Sequence, residues 1–313
     1  MSLSSNQLSQ AEAGAVPCAR YRVVHETRYA YQNAVSLSQQ YLHMSPRSFA
    51  YQQTEAHVIS VEPAAEDSSE GRDYFGNLTR HIGIAAPHSS LLVRAESTVL
   101  LYPRPSLEQL HDSLPWERVR ERMALDRSAA TLEACHYLYA SPHVSLSPDL
   151  ADYALACFTP DRPLLEAALD LTRVIYADFE FDGGATDIST PLEQVLAGRR
   201  GVCQDFAQLM IGCLRSIGLP ARYMSGYILT HPAEGQPRLA GADASHAWVA
   251  VFCPDLGWID FDPTNRCLVQ EEHITTGWGR DFSDVTPMRG IVLGGGEQEL
   301  VVSVTVTPLE TAA

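Results

Sequence analysis

The first third of the chain has the hydrophobic pattern of β-structure. Over residues 21–31, positions of one parity are mostly aromatic or β-branched, and the other parity carries three charged side chains. Alternation with period two is typical of a strand with one buried face. Two more β-prone runs lie at 58–61 and 97–101, and turn-forming residues occupy 73–77. Several short strands separated by turns predict a small β-sandwich domain over residues 20–103.

The middle of the chain changes to helical periodicity. Prolines and polar residues between 103 and 115 indicate a linker, and residues 115–180 are predicted to be mostly helical. The clearest helix begins at Cys203, where apolar positions up to Ile217 form a one-sided stripe. Gly218 follows directly, as expected for a residue that ends a helix.

Strands return after this helix. The pattern predicts strands at 222–229, 247–252 and 258–261, the last two joined by a turn over 254–257. A final strand is predicted within residues 297–310, after three consecutive glycines. The pattern leaves open whether this strand packs on the preceding domain or returns to the N-terminal one.

Composition narrows the possible functions. The chain has 313 residues, a net charge of −16 and 45% hydrophobic residues, which is typical of a soluble globular protein with room for two domains. So acidic a chain is not expected to bind nucleic acid, and no apolar run is long enough to span a membrane. All 22 basic residues are arginine, which excludes a Walker A phosphate loop and Schiff-base chemistry at lysine.

Cysteine usage indicates the compartment. Seven cysteines are scattered without a CxxC pair, which favours free thiols in a reducing environment. Residues 1–19 are expected to be a disordered tail or a remnant of cloning, because they lack the apolar segment of a signal peptide. We therefore expect a cytoplasmic protein. No HxH or HExxH spacing indicates a metal site, and no cofactor is expected.

Cys203 is the first candidate for chemistry. A helix N-terminus carries partial positive charge and unpaired N–H groups, which favour a thiolate and can hold an oxyanion. Gly201, two residues earlier, is expected to leave room for a substrate. A free cysteine is usually a buried structural residue; Cys213, on the apolar stripe, fits that description better than Cys203 does.

His246 and Asp262 are candidates to assist this thiol. They lie on two successive predicted strands, and the midpoint of their even spacing is Pro254, inside the turn. A turn centred there sets the two residues opposite each other, within reach for the carboxylate to orient the imidazole toward Cys203. Asp260 shares the face of Asp262 and is the rival carboxylate.

At this point the sequence resembles the bacterial transglutaminase-like proteins, members of the papain-like cysteine peptidase superfamily. The resemblance extends over residues 20–310. It is carried by segments around the three candidate residues, by a later segment, and by N-terminal motifs: 201–207, 225–227, 243–249, 257–265, 279–285, Leu42, Ser45-Pro46-Arg47, Phe75-Gly76-Asn77 and Pro87-His88.

The resemblance implies a fold and a catalytic triad. The expected class is α+β: the N-terminal β-sandwich-like domain precedes a papain-like, transglutaminase-like core over 113–292, in which the cysteine helix packs on an antiparallel sheet. The triad maps onto Cys203, His246 and Asp262. Papain-like peptidases often have a glutamine shortly before the cysteine whose side chain donates to the oxyanion. No residue is assigned to that role here; Gln194 lies nine residues before Cys203. Asp205 and Asp281 match family motifs without an assigned role.

The expected function is acyl transfer at an amide bond through a thioester. A peptide or protein is the expected substrate, and water resolving the thioester would make the enzyme a cysteine peptidase or amidase. An amine in place of water would make it a transglutaminase. An inactive scaffold with the same fold and, less favoured, a metal hydrolase are the other hypotheses. The sequence gives no indication of oligomeric state.

Overall fold

The structure is a computed structural model that describes residues 16–231 and 244–310. The predicted α+β class is confirmed, with a β-rich N-terminal domain followed by a helical segment and a second sheet. No helix in the described part of the chain is long and apolar enough to cross a membrane.

The N-terminal domain is antiparallel and β-rich, as predicted, and its strands form one half-barrel sheet. Its first strand is long and contributes to both halves of the sheet, because its N-terminal part pairs with β5 and its C-terminal part pairs with β4. Five of its seven strands come first in the chain: β1 (Ala19–Leu42), β2 (Gln52–Glu62), β3 (Asp67–Arg72), β4 (Leu78–Ile84) and β5 (His88–Leu101).

A helical segment connects the two sheets. The predicted linker contains a short helix, and six longer helices and two very short strands follow it. In order these elements are α1 (Leu107–Leu110), α2 (Trp116–Leu125), α3 (Ala129–Cys135), α4 (Pro148–Leu155), α5 (Leu164–Asp178), β6 (Glu180–Phe181), α6 (Leu192–Gly198), β7 (Arg200–Gly201) and α7 (Cys203–Ser216).

The second sheet has five strands in the order β11-β10-β9-β8-β12. Helix α7 packs against β8 and β9, and its apolar stripe belongs to the largest hydrophobic core of the protein. The strands are β8 (Ala221–Ile228), β9 (Ala244–Cys253), β10 (Gly257–Asp262), β11 (Cys267–Leu268) and β12 (His273–Gly279).

The chain then returns to the N-terminal sheet. After helix α8 (Phe282–Val285), strands β13 (Met288–Gly294) and β14 (Gln298–Leu309) both pair antiparallel with β1. Their side chains complete the N-terminal hydrophobic core, as Val304 and Val306 do beside Val23. The sequence pattern left the position of the last strand open, and the structure places it in the N-terminal domain.

Two buried amide side chains connect the N-terminal domain to strand β12. The amide of Asn77 donates to the Trp278 carbonyl at 2.8 Å, and its oxygen accepts from the Trp278 N–H at 3.0 Å. Gln52 forms the same pair of hydrogen bonds with Thr275, both at 2.7 Å. These side chains replace the missing neighbour strand, so the outer edge of β12 is covered.

Candidate active site

Cys203 is the first residue of α7 and is partly exposed. Its backbone N–H has no acceptor within the helix, as for every residue of a first helical turn. The side chain of Asp205 closes this helix end, accepting hydrogen bonds from the Val202 N–H at 2.8 Å and from the Thr186 hydroxyl at 2.6 Å. Asp205 therefore fixes the loop that presents the thiol.

Gly201 has a different role from the expected one. A Cβ at position 201 would lie 2.6 Å from Oδ2 of Asp205, too close for any side chain. The space beside this glycine is thus filled by the capping carboxylate, and the expectation that it leaves room for a substrate was wrong. The glycine is required by the helix cap.

His246 lies between the thiol and a carboxylate. Its Nε2 is 2.7 Å from Oδ2 of Asp262, and the ring also forms a side-chain hydrogen bond with Cys203. Because Asp262 engages Nε2, Nδ1 is the nitrogen left for the sulfur. The structure thus brings together the three residues predicted from the sequence.

The predicted strand register was nevertheless wrong. Strands β9 and β10 pair around Asp255, one residue after the expected centre at Pro254, so that Cys253 lies opposite Gly257. Gly257 adopts φ +76°, a left-handed conformation that suits glycine and closes a three-residue hairpin loop. Continuing this register places Asp262 diagonal to His246, and such pairs are still within reach of long side chains.

Asp262 is fully buried and accepts five hydrogen bonds. One oxygen, Oδ1, accepts from the N–H groups of Thr264 and Asn265 at 2.9 and 3.1 Å. The other, Oδ2, accepts from His246, from the amide of Asn265 at 2.7 Å and from Nε2 of His273 at 2.9 Å. A carboxylate held by this many donors has a fixed orientation and stays ionised.

His273 was missed by the sequence analysis. It is the first residue of β12 and lies outside the segments that carry the family resemblance. An isolated histidine without a spacing pattern gives no signal of its own. Asn265 was part of a recognised motif but had no assigned role.

Neighbouring charges and hydrogen bonds shift the pKa values of His246, Asp262 and His273. Burial alone lowers the pKa of His246, but hydrogen bonds with Asp262 and Cys203 and their charges raise it to about 10. Burial raises the pKa of Asp262, and the bonds from His246 and His273 outweigh burial, so this pKa lies well below its usual range. Burial lowers the pKa of His273 more than Asp262 raises it, which favours its neutral form.

The other acidic candidates have structural partners. The rival Asp260 accepts from Arg104 at 2.8 Å and from the Trp248 indole at 3.1 Å, and no hydrogen bond links it to His246 within the described chain. Asp281 caps α8 by accepting from the Ser283 N–H at 2.9 Å, and it also holds the His143 N–H at 2.8 Å.

Gln194 is exposed on α6, and its backbone N–H donates to the Pro191 carbonyl. Among the described residues, no contact directs its side chain toward an oxyanion site. The Cys203 N–H is the candidate donor to the oxyanion, because it lies in the first turn of α7.

One group of side chains has the composition of a metal site. Ligand atoms of His246, Asp262 and His273 all lie within 4.8 Å of one another. Both imidazoles already donate to the same carboxylate oxygen, and a metal ion would have to displace these protons and take His246 away from Cys203.

Two family models match the chain. The bacterial transglutaminase-like N-terminal region matches residues 21–100, and the transglutaminase-like superfamily matches residues 152–263. The second match includes Cys203, His246 and Asp262.

Individual relatives extend this similarity. An uncharacterized protein of Mycobacterium tuberculosis is 40% identical over 298 residues, which cover 93% of each chain. A protein-glutamine gamma-glutamyltransferase of Pseudomonas aeruginosa is 38% identical over 81 residues, 25% of this chain and 12% of that protein. The crystal structure of a candidate cysteine protease from Cytophaga hutchinsonii has a TM-score of 0.74 at 19% identity, covering 94% of this chain and 92% of that one.

Proposed function

The chain belongs to the transglutaminase-like superfamily, and we propose that it is a thiol-dependent acyl-transfer enzyme acting on amide bonds. The observation that carries the proposal is the position of His246, hydrogen-bonded on one side to Cys203 and on the other to the buried Asp262. An inactive scaffold would not need a charged carboxylate held beneath an imidazole next to a helix-terminal thiol.

In the proposed acylation step each of the three residues has one role. The Cys203 thiolate, whose proton has passed to His246, forms a bond to the amide carbonyl carbon, and the resulting oxyanion lies near the first N–H groups of α7. The His246 imidazolium then gives its proton to the departing nitrogen, the C–N bond breaks, and a thioester remains. Asp262 keeps the ring oriented and stabilises its positive charge without itself taking up a proton.

A second nucleophile resolves the thioester: it loses a proton to His246 and attacks the thioester carbon, and the C–S bond breaks to restore the Cys203 thiolate. We favour water, which makes the enzyme a cysteine peptidase or amidase, because a transferase has to exclude water or hold an amine in place. The alternative is transfer to an amine. We retain this alternative because an 81-residue stretch of the chain is similar to a protein-glutamine gamma-glutamyltransferase. The proposed substrate in both cases is a peptide or protein amide, and the proposed cytoplasmic location rests on cysteine usage.

Mass spectrometry separates these outcomes. Glutamine-containing peptides are incubated with the enzyme, with and without methylamine, and the products are weighed. Peptide cleavage, deamidation and methylamine incorporation each give a different mass change, and we expect one of the first two to dominate even with the amine present.

Cys203→Ser serves as the matched control, because it keeps the size of the side chain and removes the nucleophilic sulfur. Equal product from this variant would show that the activity does not come from this thiol. A scaffold is indicated if no peptide changes mass and iodoacetamide labels Cys203 no faster than the exposed Cys18.

A further inference from the structure

A pocket of about 380 Å³ lies between the N-terminal domain and the core sheet. One wall is the segment 47–51, which follows β1, and the opposite wall carries Arg222, Trp258 and Trp278 from β8, β10 and β12. Its volume is within the range of pockets that hold small ligands. None of the residues that line it is one of the three proposed for catalysis.

Arginines and indoles alternate through this pocket. The Arg47 guanidinium lies 3.5 Å from the ring centre of Trp278. The Arg222 guanidinium lies 3.9 Å from the same ring and 4.3 Å from that of Trp258. Stacking of this kind fixes the plane of a guanidinium while its N–H groups stay available for a ligand.

Neither arginine has a carboxylate partner within the described residues. Arg222 is only 5% exposed, its side chain forms no hydrogen bond there, and Nε is buried without an acceptor. Arg47 donates from Nη1 to the Phe75 carbonyl and to Asn77, both uncharged. Burial and the nearby charge of Arg222 lower the pKa of Arg47 to about 10. Two buried like charges are unfavourable unless an anion joins them.

The acidic residues of the pocket form no ion pair with Arg47 or Arg222 in the described chain. Burial lowers the pKa of Arg222, and the nearby charges of Asp260 and Glu133 oppose that shift without removing it. Asp260 already accepts from Arg104 and from the Trp248 indole. Glu133 lines the pocket but is exposed to solvent, and no ion pair links it to an arginine in the described chain. Their charges make a dianion such as phosphate a poorer ligand than a single carboxylate.

We propose that this pocket is a binding site for a carboxylate, with Arg47 and Arg222 as its donors. A planar carboxylate matches the fork of N–H groups on a guanidinium. The indoles and Phe49 accommodate an apolar or aromatic body attached to it. The inference is independent of the proposed acyl-transfer activity, since it concerns different residues.

The binding test uses benzoate as the probe and benzamide as its uncharged analogue. Two of the four tryptophans line the pocket, so intrinsic fluorescence at constant ionic strength reports occupancy. We expect a saturable change with benzoate and none with benzamide or chloride. Alkylating Cys203 beforehand should leave the benzoate affinity unchanged; loss of binding after alkylation would place the ligand at the other site and overturn the proposal.

Variants locate the ligand. Arg222→Met and Arg47→Gln should each weaken benzoate binding at least tenfold. Arg118→Met is the matched control: it removes an arginine from the exposed face of α2, where Arg118 pairs with Glu121, and should not change binding. Since the pair is unsatisfied without a ligand, Arg222→Met should also unfold at the same or a higher temperature than wild type in anion-free buffer.

Two results would overturn the inference. The first is phosphate binding more tightly than benzoate, which would contradict the carboxylate assignment. The second is the absence of a saturable response together with a lower unfolding temperature for Arg222→Met than for Arg118→Met, which would show that the stacked guanidinium serves only the stability of the domain interface. Arg47→Gln, at the partly exposed side of the pocket, keeps the binding test valid if Arg222→Met does not fold.

Discussion

Replacing Asp262 by asparagine is the most informative change in the candidate active site. The side chain keeps its size, but it loses its charge and one of its two acceptor oxygens. Whichever way the amide is oriented, its NH₂ group meets at least two donors, because Oδ1 and Oδ2 each accept two or more hydrogen bonds. At ~1–3 kcal/mol for each unsatisfied buried donor, the variant should lose roughly 2–6 kcal/mol of unfolding free energy.

The same change should lower the pKa of His246. Asp262 and Cys203 together raise this pKa to about 10, against the effect of burial. A neighbouring carboxylate typically shifts a pKa by roughly 1–3 units, so the variant should lose its imidazolium at a pH lower by about that amount. For turnover, loss of the orienting carboxylate lowers kcat by ~10⁴-fold in a triad enzyme, and we expect an effect of this order.

Alkylation of Cys203 measures the imidazolium without a known substrate. Iodoacetate is an anion and is attracted by a charged His246, whereas iodoacetamide is neutral, so the ratio of the two rates falls where the imidazolium loses its proton. Peptide mass spectrometry assigns the modified cysteine. We expect this fall near pH 10 for wild type, from the pKa of His246, and at clearly lower pH for Asp262→Asn.

Asp260→Asn is the control, since Asp260 is a buried carboxylate on the same strand that bonds to Arg104 and not to His246. Its rate ratio should fall at the wild-type pH. Circular dichroism checks that each variant is folded at the temperature of the assay. The reasoning is refuted if folded Asp262→Asn keeps the wild-type profile, or if Asp260→Asn moves it instead.

Three further predictions test the site from other directions. Cys203→Ala should abolish turnover with little change in unfolding temperature, whereas Cys213→Ala, in the fully buried core, should keep turnover and lose about 1 kcal/mol of unfolding free energy; the opposite pattern would reassign the nucleophile. His273→Gln keeps an N–H donor for Asp262 and should have a kcat near that of wild type. His273→Leu loses one hydrogen bond to a charged group, so its kcat should fall ~10–100-fold without a higher KM. Equal kcat values in the two variants would show that His273 contributes only by packing. The folded state raises the pKa of His246, so the protonated ring stabilises the fold fully below the unfolded pKa of 6.5, and this contribution is lost as the pH rises through about 10. Unfolding free energies measured with denaturant should therefore decline over that range. A flat profile would contradict a protonated His246 in the folded state.

The sequence was sufficient to find the three candidate residues, although one step of the reasoning was wrong. Even spacing correctly put His246 and Asp262 on the same face of the sheet. The turn is expected to centre on Pro254, the midpoint between His246 and Asp262, but Gly257 takes the left-handed position and the observed centre is Asp255. When the centre of the turn moves by one residue, each residue's cross-strand partner moves by two positions. His246 and Asp262 therefore stay on the same face of the sheet.

Other features could not be predicted because they depend on distant parts of the chain. Strand β14 has apolar residues on alternate positions, a pattern that suits either sheet, and only its pairing with the N-terminal half of β1 decides the choice. His273 depends on β12 pairing with β8, which brings it to a carboxylate eleven residues earlier in the chain. Asp205 had no assigned role from the sequence, because its contact with Thr186 comes from a separate loop.

The N-terminal domain takes part in the geometry of the site. Strand β12, which carries His273, is an edge of the core sheet, and an edge strand without a neighbour is held on one side only. Here Gln52 and Asn77 bond to both backbone groups of Thr275 and of Trp278, on the side that no core strand covers. Since β12 is held on both sides, His273 has a fixed position from which to donate to Asp262. This chain of contacts gives a physical reason for the N-terminal motif around Asn77: it supports a strand on which the orientation of the buried carboxylate depends.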